Sequence, residues 1–297
     1  MEKISILIPA RNEAPSIGGL IERIRVVIPA AEIVVTDDGS DDGTGEIAAT
    51  LGARVFRHPV ALGNGAAVKA AVRHARGDVL VMMDADGQHD PADIPRLLAQ
   101  LAAGYDLVVG ARDAASQASI WRGFGNWLYN RLASWVVGHT VPDLTSGFRA
   151  ARANRFREFL SLLPNGFSYP TTSTMAFFRA GYPVSFIPIR AARREGKSHI
   201  KLFRDGGRFF LIIFRVGTLY SPLKIFGPIS AILFATGCWY YAYTLITSGR
   251  FTNAGAVIFM TSILVFLIGL VSEQITTLIY LSANGRRSDQ NSEHELQ

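Results

Sequence analysis

Val79-Leu80-Val81-Met82-Met83-Asp84-Ala85-Asp86-Gly87-Gln88-His89-Asp90-Pro91 sets an apolar run of strand length against a turn full of carboxylates. Five apolar residues stopped by a turn containing Gly and Pro read as a buried strand. Asp84 and Asp86 alternate, so both carboxylates leave the same side of an extended backbone. Hard oxygen donors placed in this way suit Mg²⁺ or Mn²⁺, cations that keep positions for water and substrate phosphates. Gln88 offers a further, neutral oxygen, and Pro91 opens the next helix. His89 reads as a solvated loop residue. A bare Asp-x-Asp recurs in loops by chance; the strand directly before it is what gives this one weight.

The same alternation extends to both sides. Ile4–Ile8, Glu32–Thr36, Arg54–Arg57 and Leu107–Val109 read as further strands. Ser16–Val27, Gly45–Leu51, Ala66–Arg76, Ala92–Ala102 and Trp121–Val137 read as helices. Strands alternating with helices predict an α/β domain whose mostly parallel, Rossmann-like sheet is covered on both faces. Ligands of such sheets bind beyond the carboxyl ends of the strands. Two more loops of chemical interest fall there. The first strand runs into Pro9-Ala10-Arg11-Asn12-Glu13, and the second into Thr36-Asp37-Asp38-Gly39-Ser40-Asp41-Asp42-Gly43-Thr44. Carboxylates in that position accept hydrogen bonds from a base or ribose, while Thr44 or a neighbouring Asp caps the following helix. Four aspartates in six residues repel one another unless a cation or a donor-rich ligand lies close.

Composition changes sharply towards the other end. Over 297 residues 49% are hydrophobic and only 18% charged, below the roughly 25% of soluble domains. The deficit lies in two runs. Ile225–Ser248 carries no charge, and Phe251–Leu281 only Glu273. Each reaches about 36 Å or more as a helix, enough to cross roughly 30 Å of hydrocarbon. A fully soluble protein, a disordered chain and a disulfide-stapled module are excluded, and the single cysteine, Cys238, permits no intrachain disulfide. Net charge is +6, and residues 186–224, with nine basic side chains against Glu195 and Asp205, more than account for it. Basic residues beside a span attract anionic lipid and mark the cytoplasmic side. Arg286 and Arg287 follow the second run, so a two-span hairpin with the catalytic domain and both termini in the cytoplasm is expected, and nucleic-acid binding is not. Residues 200–222 interleave aromatic and basic side chains as an interfacial helix does. The expected organisation is a domain over 1–199, that juxtamembrane helix over 200–222, spans over 225–248 and 254–281, and a polar tail over 285–297. Glu273 either sits near the cytoplasmic end or pairs with a basic residue of another span or protomer.

Taken together, Ile8-Pro9-Ala10-Arg11-Asn12-Glu13, Asp37-Asp38-Gly39-Ser40, Asp84-Ala85-Asp86-Gly87-Gln88 and Asp143-Leu144-Thr145-Ser146-Gly147-Phe148-Arg149 resemble glycosyltransferase family 2, with its GT-A fold. Within it they most resemble the branch typified by dolichol-phosphate mannose synthases, and the C-terminal hairpin is similar to that of its bacterial polyprenyl-phosphate members. The resemblance implies transfer of a hexose from a nucleotide sugar, of GDP-mannose or UDP-glucose type, to undecaprenyl or dolichyl phosphate. It implies that Pro9, Ala10, Glu13, Asp37, Asp38 and Asp84 contact the nucleotide. Asp84, Asp86 and Gln88 would hold the metal and diphosphate. Arg112 and Arg122 match acceptor-binding arginines, and Asn126 stands where relatives have a serine; Arg122 also reads as a plain surface charge. Asp143 and Ser146 lie on a turn near the donor sugar, and Ser146 is also expected to contact the acceptor phosphate. There Asp143 orients sugar hydroxyls, holds Arg149, or simply builds the turn. Arg194, Lys197 and Ser198 belong to a basic loop that closes over phosphate or attracts lipid.

These assignments make Asp86, Arg112, Arg122 and Asp143 the residues expected to carry catalysis. The acceptor phosphate is itself the nucleophile, largely dianionic above its second pKa of about 6, so no protein base is needed. Inversion at the anomeric carbon is the outcome the family implies. Alternatives are a polysaccharide or glycolipid synthase, which the missing Gln-x-x-Arg-Trp motif disfavours, and an inactive membrane scaffold, which the intact Asp84/Asp86 pair disfavours. Self-association of the enzyme as a homo-oligomer is left open.

Overall fold

A computed structural model describes residues 2–112, 120–166, 168–190, 214, 217–218, 220–250 and 252–294, the side chains of 120–126 and 281–294 excepted. The chain divides into two units, Met1–Leu202 and Phe203–Gln297.

The first unit is built on seven strands: β1 (Ile4–Ala10), β2 (Glu32–Asp37), β3 (Arg54–Arg57), β4 (Val79–Met82), β5 (Leu107–Arg112), β6 (Arg149–Arg152) and β7 (Val184–Ile189). Their order is β3-β2-β1-β4-β6-β5-β7, parallel except for β6, which runs antiparallel between β4 and β5. The α/β reading with a mostly parallel sheet is therefore correct. Helices α1 (Ala14–Val27), α2 (Thr44–Thr50), α3 (Asn64–His74), α4 (Ile94–Ala102), α5 (Ile120–Val137), α6 (Ala153–Glu158) and α7 (Tyr169–Arg179) connect the strands. Periodicity explains their docking. Ile17, Leu20, Ile21 and Ile24 of α1, and Ile94, Leu97 and Leu101 of α4, recur at helical spacing and are all buried. Each such side chain contributes about 1.5–3 kcal/mol when fully withdrawn from water. Crossovers between parallel strands bring the C-terminal ends of β1, β2 and β4 to one edge, where the carboxylate-bearing loops meet.

The second unit pairs α8 (Pro222–Ser248) with α9 (Asn253–His294). Small residues recur every seven positions along the seam: Ser230, Gly237 and Thr244 face Gly255, Ser262, Gly269 and Thr276, all buried. Ser230 Oγ donates to the Ser262 carbonyl at 2.9 Å, and Ser262 Oγ returns a bond to the Ser230 carbonyl at 3.0 Å. A Cβ on Gly269 would come within 2.6 Å of Phe226 Cβ. A repeat of seven keeps one stripe of each helix on its partner. The outward faces carry Ile232, Trp239, Ile246, Val257, Met260 and Leu278, more than half exposed. Both helices, Pro222–Ser248 and Asn253–Tyr280, are long and apolar enough to cross a membrane. The α9 helix continues to His294, so the polar stretch from Arg286 extends a helix. The proposed juxtamembrane helix over 200–222 falls almost wholly outside the described residues.

Candidate active site

The first two loops brace each other. Asn12, at φ 55, receives Asp41 N on its Oδ1, and its own amide donates to Ser40 Oγ. Glu13 N donates to Thr44 Oγ1, and Ala14 N to Asp42 Oδ2. Asp42 also accepts from Thr44 N, so one carboxylate serves the starts of α1 and α2. Protein donors offset part of the repulsion among the aspartates, at Asp42 and at one oxygen of Asp37, while the other Asp37 oxygen is buried without a hydrogen bond among the described residues. Asp37, fully buried, accepts from Ser40 N and has Arg57 Nε 3.5 Å from its other oxygen. Asp38 accepts from Leu62 N, Gly63 N and His58 Nδ1 at 2.7–2.9 Å. Burial alone pushes its carboxyl up, but the His58 bond and the two amides outweigh it and hold it below the ordinary value. Asp38 therefore anchors the loop 58–63 that leads into α3.

Beyond β4, three segments converge on Asp84. Gly147 packs so tightly that a Cβ there would overlap the Asp84 carboxylate. Asn64, first residue of α3, lies beside it and helps to lower its pKa, and His89 Nε2 lies 3.9 Å away. Desolvation raises the Asp84 pKa; His89 opposes this, Asp86 reinforces it, and Asn64 and Arg112 oppose it less strongly. Asp86 Oδ1 accepts from Gln88 N at 3.1 Å across Gly87, whose φ of +70 closes the turn. His89 is not solvated: it is 4% exposed and stacks on Phe148 at 5.2 Å, because the turn folds it back under the sheet edge. Two neighbouring carboxylates, one of them with a raised pKa, make a donor set that a divalent cation would relieve. Among the described residues no three His, Cys, Asp or Glu side chains gather as a metal cage. Such a cation would thus depend on substrate phosphates for further ligands, which fits Mg²⁺ or Mn²⁺.

Arg112, at the end of β5, grips Asp143 through Nε at 2.7 Å and Nη2 at 3.1 Å, and donates to Thr145 Oγ1. Burial raises the Asp143 pKa, yet Arg112 more than compensates and the net shift is downward. Asp143 holds Arg112 rather than Arg149. Arg149 is itself fully buried, donating to the Pro170 carbonyl, Ser173 Oγ, Thr174 Oγ1 and the Ser146 carbonyl. Ser146 is fully buried as well, and its Oγ has no hydrogen-bond partner among the described residues. Its hydroxyl therefore lies in the interior of the turn, and a contact with an acceptor phosphate would require the turn to move. Pro9, Ala10, Glu13, Asp37, Asp38, Asp84, Asp86, Gln88, Arg112 and Asp143 all lie on loops or strand ends at this edge. Arg122 and Asn126 lie on the first part of α5, and their side chains, like Arg194, Lys197 and Ser198, are outside the described residues.

Sequence reasoning missed Asn64 and Gly147. Gly63-Asn64-Gly65, opening a helix just after a strand, was a legible signal: Gly63 and Gly65 let the 164–166 backbone approach α3. Gly65 N and Ala66 N donate to the Gly166 and Asn165 carbonyls.

The family profile of glycosyl transferase family 2 matches residues 5–160, and that of the GtrB C-terminal hairpin residues 221–278. The glycosyltransferase AglJ of Haloferax volcanii is 31% identical over 290 residues, 93% of this chain and 95% of that protein. The undecaprenyl-phosphate mannosyltransferase of Micrococcus luteus is 32% identical, covering 65% of this chain and 85% of its own length. Glucosyl-3-phosphoglycerate synthase of Mycobacterium tuberculosis, solved with Mn²⁺, UDP and glucosyl-3-phosphoglycerate, superposes with a TM-score of 0.60 at 23% identity, over 72% of this chain and 80% of that one.

Proposed function

The chain belongs to glycosyltransferase family 2, and from that premise we propose that it transfers a hexose, with inversion, from a nucleotide sugar to a polyprenyl phosphate at the cytoplasmic face of a membrane. The observation that carries the reading is the Asp84/Asp86 pair at the end of β4, set beside the Arg112–Asp143 pair, in a chain that also bears a membrane-length hairpin. Support for the acceptor comes from the undecaprenyl-phosphate and dolichyl-phosphate transferases among its relatives. The basic excess of residues 186–224 supports the cytoplasmic orientation.

The chain's own groups have three tasks. Pro9, Ala10, Glu13, Asp37 and Asp38 frame the nucleoside, with Asp38 acting through the 58–63 loop it holds. Asp84, Asp86 and Gln88 would hold Mg²⁺ or Mn²⁺, which supplies neutralisation of the charge that develops on the departing diphosphate. Arg112 and Arg122 bring the acceptor's phosphate to the anomeric carbon by charge and orientation. Asp143 keeps Arg112 in place, both of its oxygens being engaged by Arg112 and Thr145. A carboxylate so occupied, with a depressed pKa, is a poor proton acceptor, which agrees with a reaction needing no protein base.

The test offers radiolabelled GDP- and UDP-hexoses with a short polyprenyl phosphate, in Mn²⁺, in Mg²⁺ and in chelator. Labelled lipid should form with one donor, stop in chelator and return on adding metal; Asp86→Ala should abolish it with a native circular dichroism spectrum. Transfer that survives chelation or Asp86→Ala refutes the metal assignment, and label appearing only in polymer refutes the acceptor.

A further inference from the structure

Arg149 opens β6 and lies wholly inside the first unit, with none of its surface exposed. Every group it touches is neutral. Nη1 donates to the Pro170 carbonyl at 2.8 Å, to Ser173 Oγ at 2.7 Å and to Thr174 Oγ1 at 3.1 Å. Nη2 donates to the Ser146 carbonyl, and Cζ lies 5.8 Å from the centre of the Tyr169 ring. Among the described residues Nε has no hydrogen-bond partner and no carboxylate forms an ion pair with the guanidinium. Charges are costly to bury and are ordinarily paired when they are. A neutral amide could meet several of the same carbonyls and hydroxyls, so these hydrogen bonds alone do not account for the charge.

We infer that Arg149 is a fixed, buried cation acting through space on the donor's diphosphate from behind the Asp84 edge, a positioning residue that does not touch substrate. The Ser146 carbonyl that it holds leads into Gly147, which packs against the Asp84 carboxylate, and Tyr169 OH donates to the Gly147 carbonyl at 3.4 Å. Burial lowers the Arg149 pKa, and Tyr169, Asp143 and Asp84 offset part of this, so the carboxylates whose charge reaches it belong to the site. A guanidinium stays protonated even there. Charge balance gives its field a use. Arg112 and Asp143 neutralise each other, and a divalent cation would neutralise Asp84 and Asp86. Arg149 is then the positive charge left over among the described side chains of this edge, in surroundings too dry to screen it. As the bond from the anomeric carbon to the diphosphate oxygen breaks, its electron pair leaves with the diphosphate, and an acceptor phosphate oxygen bonds the carbon instead. A cation already in place favours that departure without reorganising. The inference rests on the nucleotide-sugar reading of the site.

The test uses the full chain in detergent, with Arg149→Gln, which keeps an N–H donor and removes the charge, and Arg149→Lys, which keeps the charge and loses the fork. Two affinities are read: Mn²⁺ alone, from the paramagnetic resonance of the free ion, and GDP or UDP in saturating Mn²⁺, by calorimetry. In Arg149→Gln, Mn²⁺ alone should bind about threefold or more tighter, because a repelling charge is gone. The better of the two nucleotides should bind about tenfold or more weaker, because an attracting charge is gone. Opposite signs are what a merely structural residue would not give. Arg149→Lys should stay within about threefold of the wild type in both affinities. Arg149→Gln weakening both, as for a damaged turn, or changing neither, overturns the inference. Should Arg149→Gln misfold, Arg149→Lys decides: both affinities retained supports a role for the charge, and both weakened assigns Arg149 to the architecture of the turn. A wild type that binds Mn²⁺ but neither nucleotide refutes the nucleotide-sugar reading and the inference with it, whereas binding by the wild type with unresponsive variants refutes the inference alone.

Discussion

Gly147 shows how a single missing atom can shape a site. Its hydrogen sits where any side chain would strike the Asp84 carboxylate, so the turn closes on the metal-binding edge only with glycine there. The φ of Gly147 needs no such freedom, and the close approach alone demands it. Gly147→Ala should therefore push Asp84 aside while leaving the rest of the fold in place. Transfer is expected to fall about tenfold or more, in line with the cost of small misplacements at reacting centres. The apparent affinity for Mn²⁺ should weaken in parallel, and the melting temperature should move little. Titrating activity against Mn²⁺ checks this; a variant of unchanged metal requirement would mean that Asp84 does not serve the cation. Sequence alone could not reveal the contact, because residues 84 and 147 meet only through the pairing of β4 with β6.

At the scale of elements, what the sequence disclosed followed from how each element is buried. Strands β1, β2 and β4 lie inside the sheet and read as mainly apolar runs, interrupted by Ser5 in β1 and polar only at the ends of β2, and α1 and α4 show clean helical spacing. The region past β5 was opaque for a physical reason. Strand β6 is Arg-Ala-Ala-Arg, with no β-branched or aromatic residue, and it exists because β4 and β5 flank it. Helix α7, Tyr-Pro-Thr-Thr-Ser-Thr-Met-Ala-Phe-Phe-Arg, has strand-like composition. Within the helix Thr172, Ser173 and Thr174 satisfy their buried hydroxyls on the carbonyls four residues back, and two of these hydroxyls receive Arg149. Glu273 is likewise explained only by the pairing of helices: its Oε2 accepts from Leu223 N at the start of α8, an N–H no turn of that helix can satisfy. The seam makes its own prediction. Gly269→Leu, which meets Phe226, should cost about 1–3 kcal/mol of overpacking. Gly227→Leu, with nothing within 4 Å of its Cβ, should be close to neutral. Thermal unfolding in detergent compares them, and equal melting temperatures would show that the seam does not limit the hairpin's stability.

For the molecule as a whole, the proposed chemistry brings two anions together, and the charges it supplies decide how rate should depend on pH. Arg112 is held by Asp143 and adds positive potential at Asp84, so acceptor and donor phosphates approach an edge where cation and carboxylate are already balanced. Among the described residues the one carboxyl shifted upward at this edge is Asp84, which a bound cation would keep ionised. The Asp143 carboxyl, shifted downward, stays ionised well below neutrality, and His89 is buried with its pKa lowered by desolvation, which Asp84 and Asp86 only partly offset. The acceptor is then the one group whose titration should show: activity should rise as its second proton leaves, at about pH 6, and level off above. Asp143→Asn should lower the plateau, since Arg112 loses an ionic partner, without shifting or removing that limb. A polyprenol lacking phosphate should not react at any pH, because no residue at this edge activates a hydroxyl and the arginines would have no anion to hold. The measurement is a pH–rate profile of the wild type and Asp143→Asn with the polyprenol as control. Transfer to the free alcohol, or disappearance of the limb in Asp143→Asn, would make Asp143 a general base and reverse the assignment of the nucleophile.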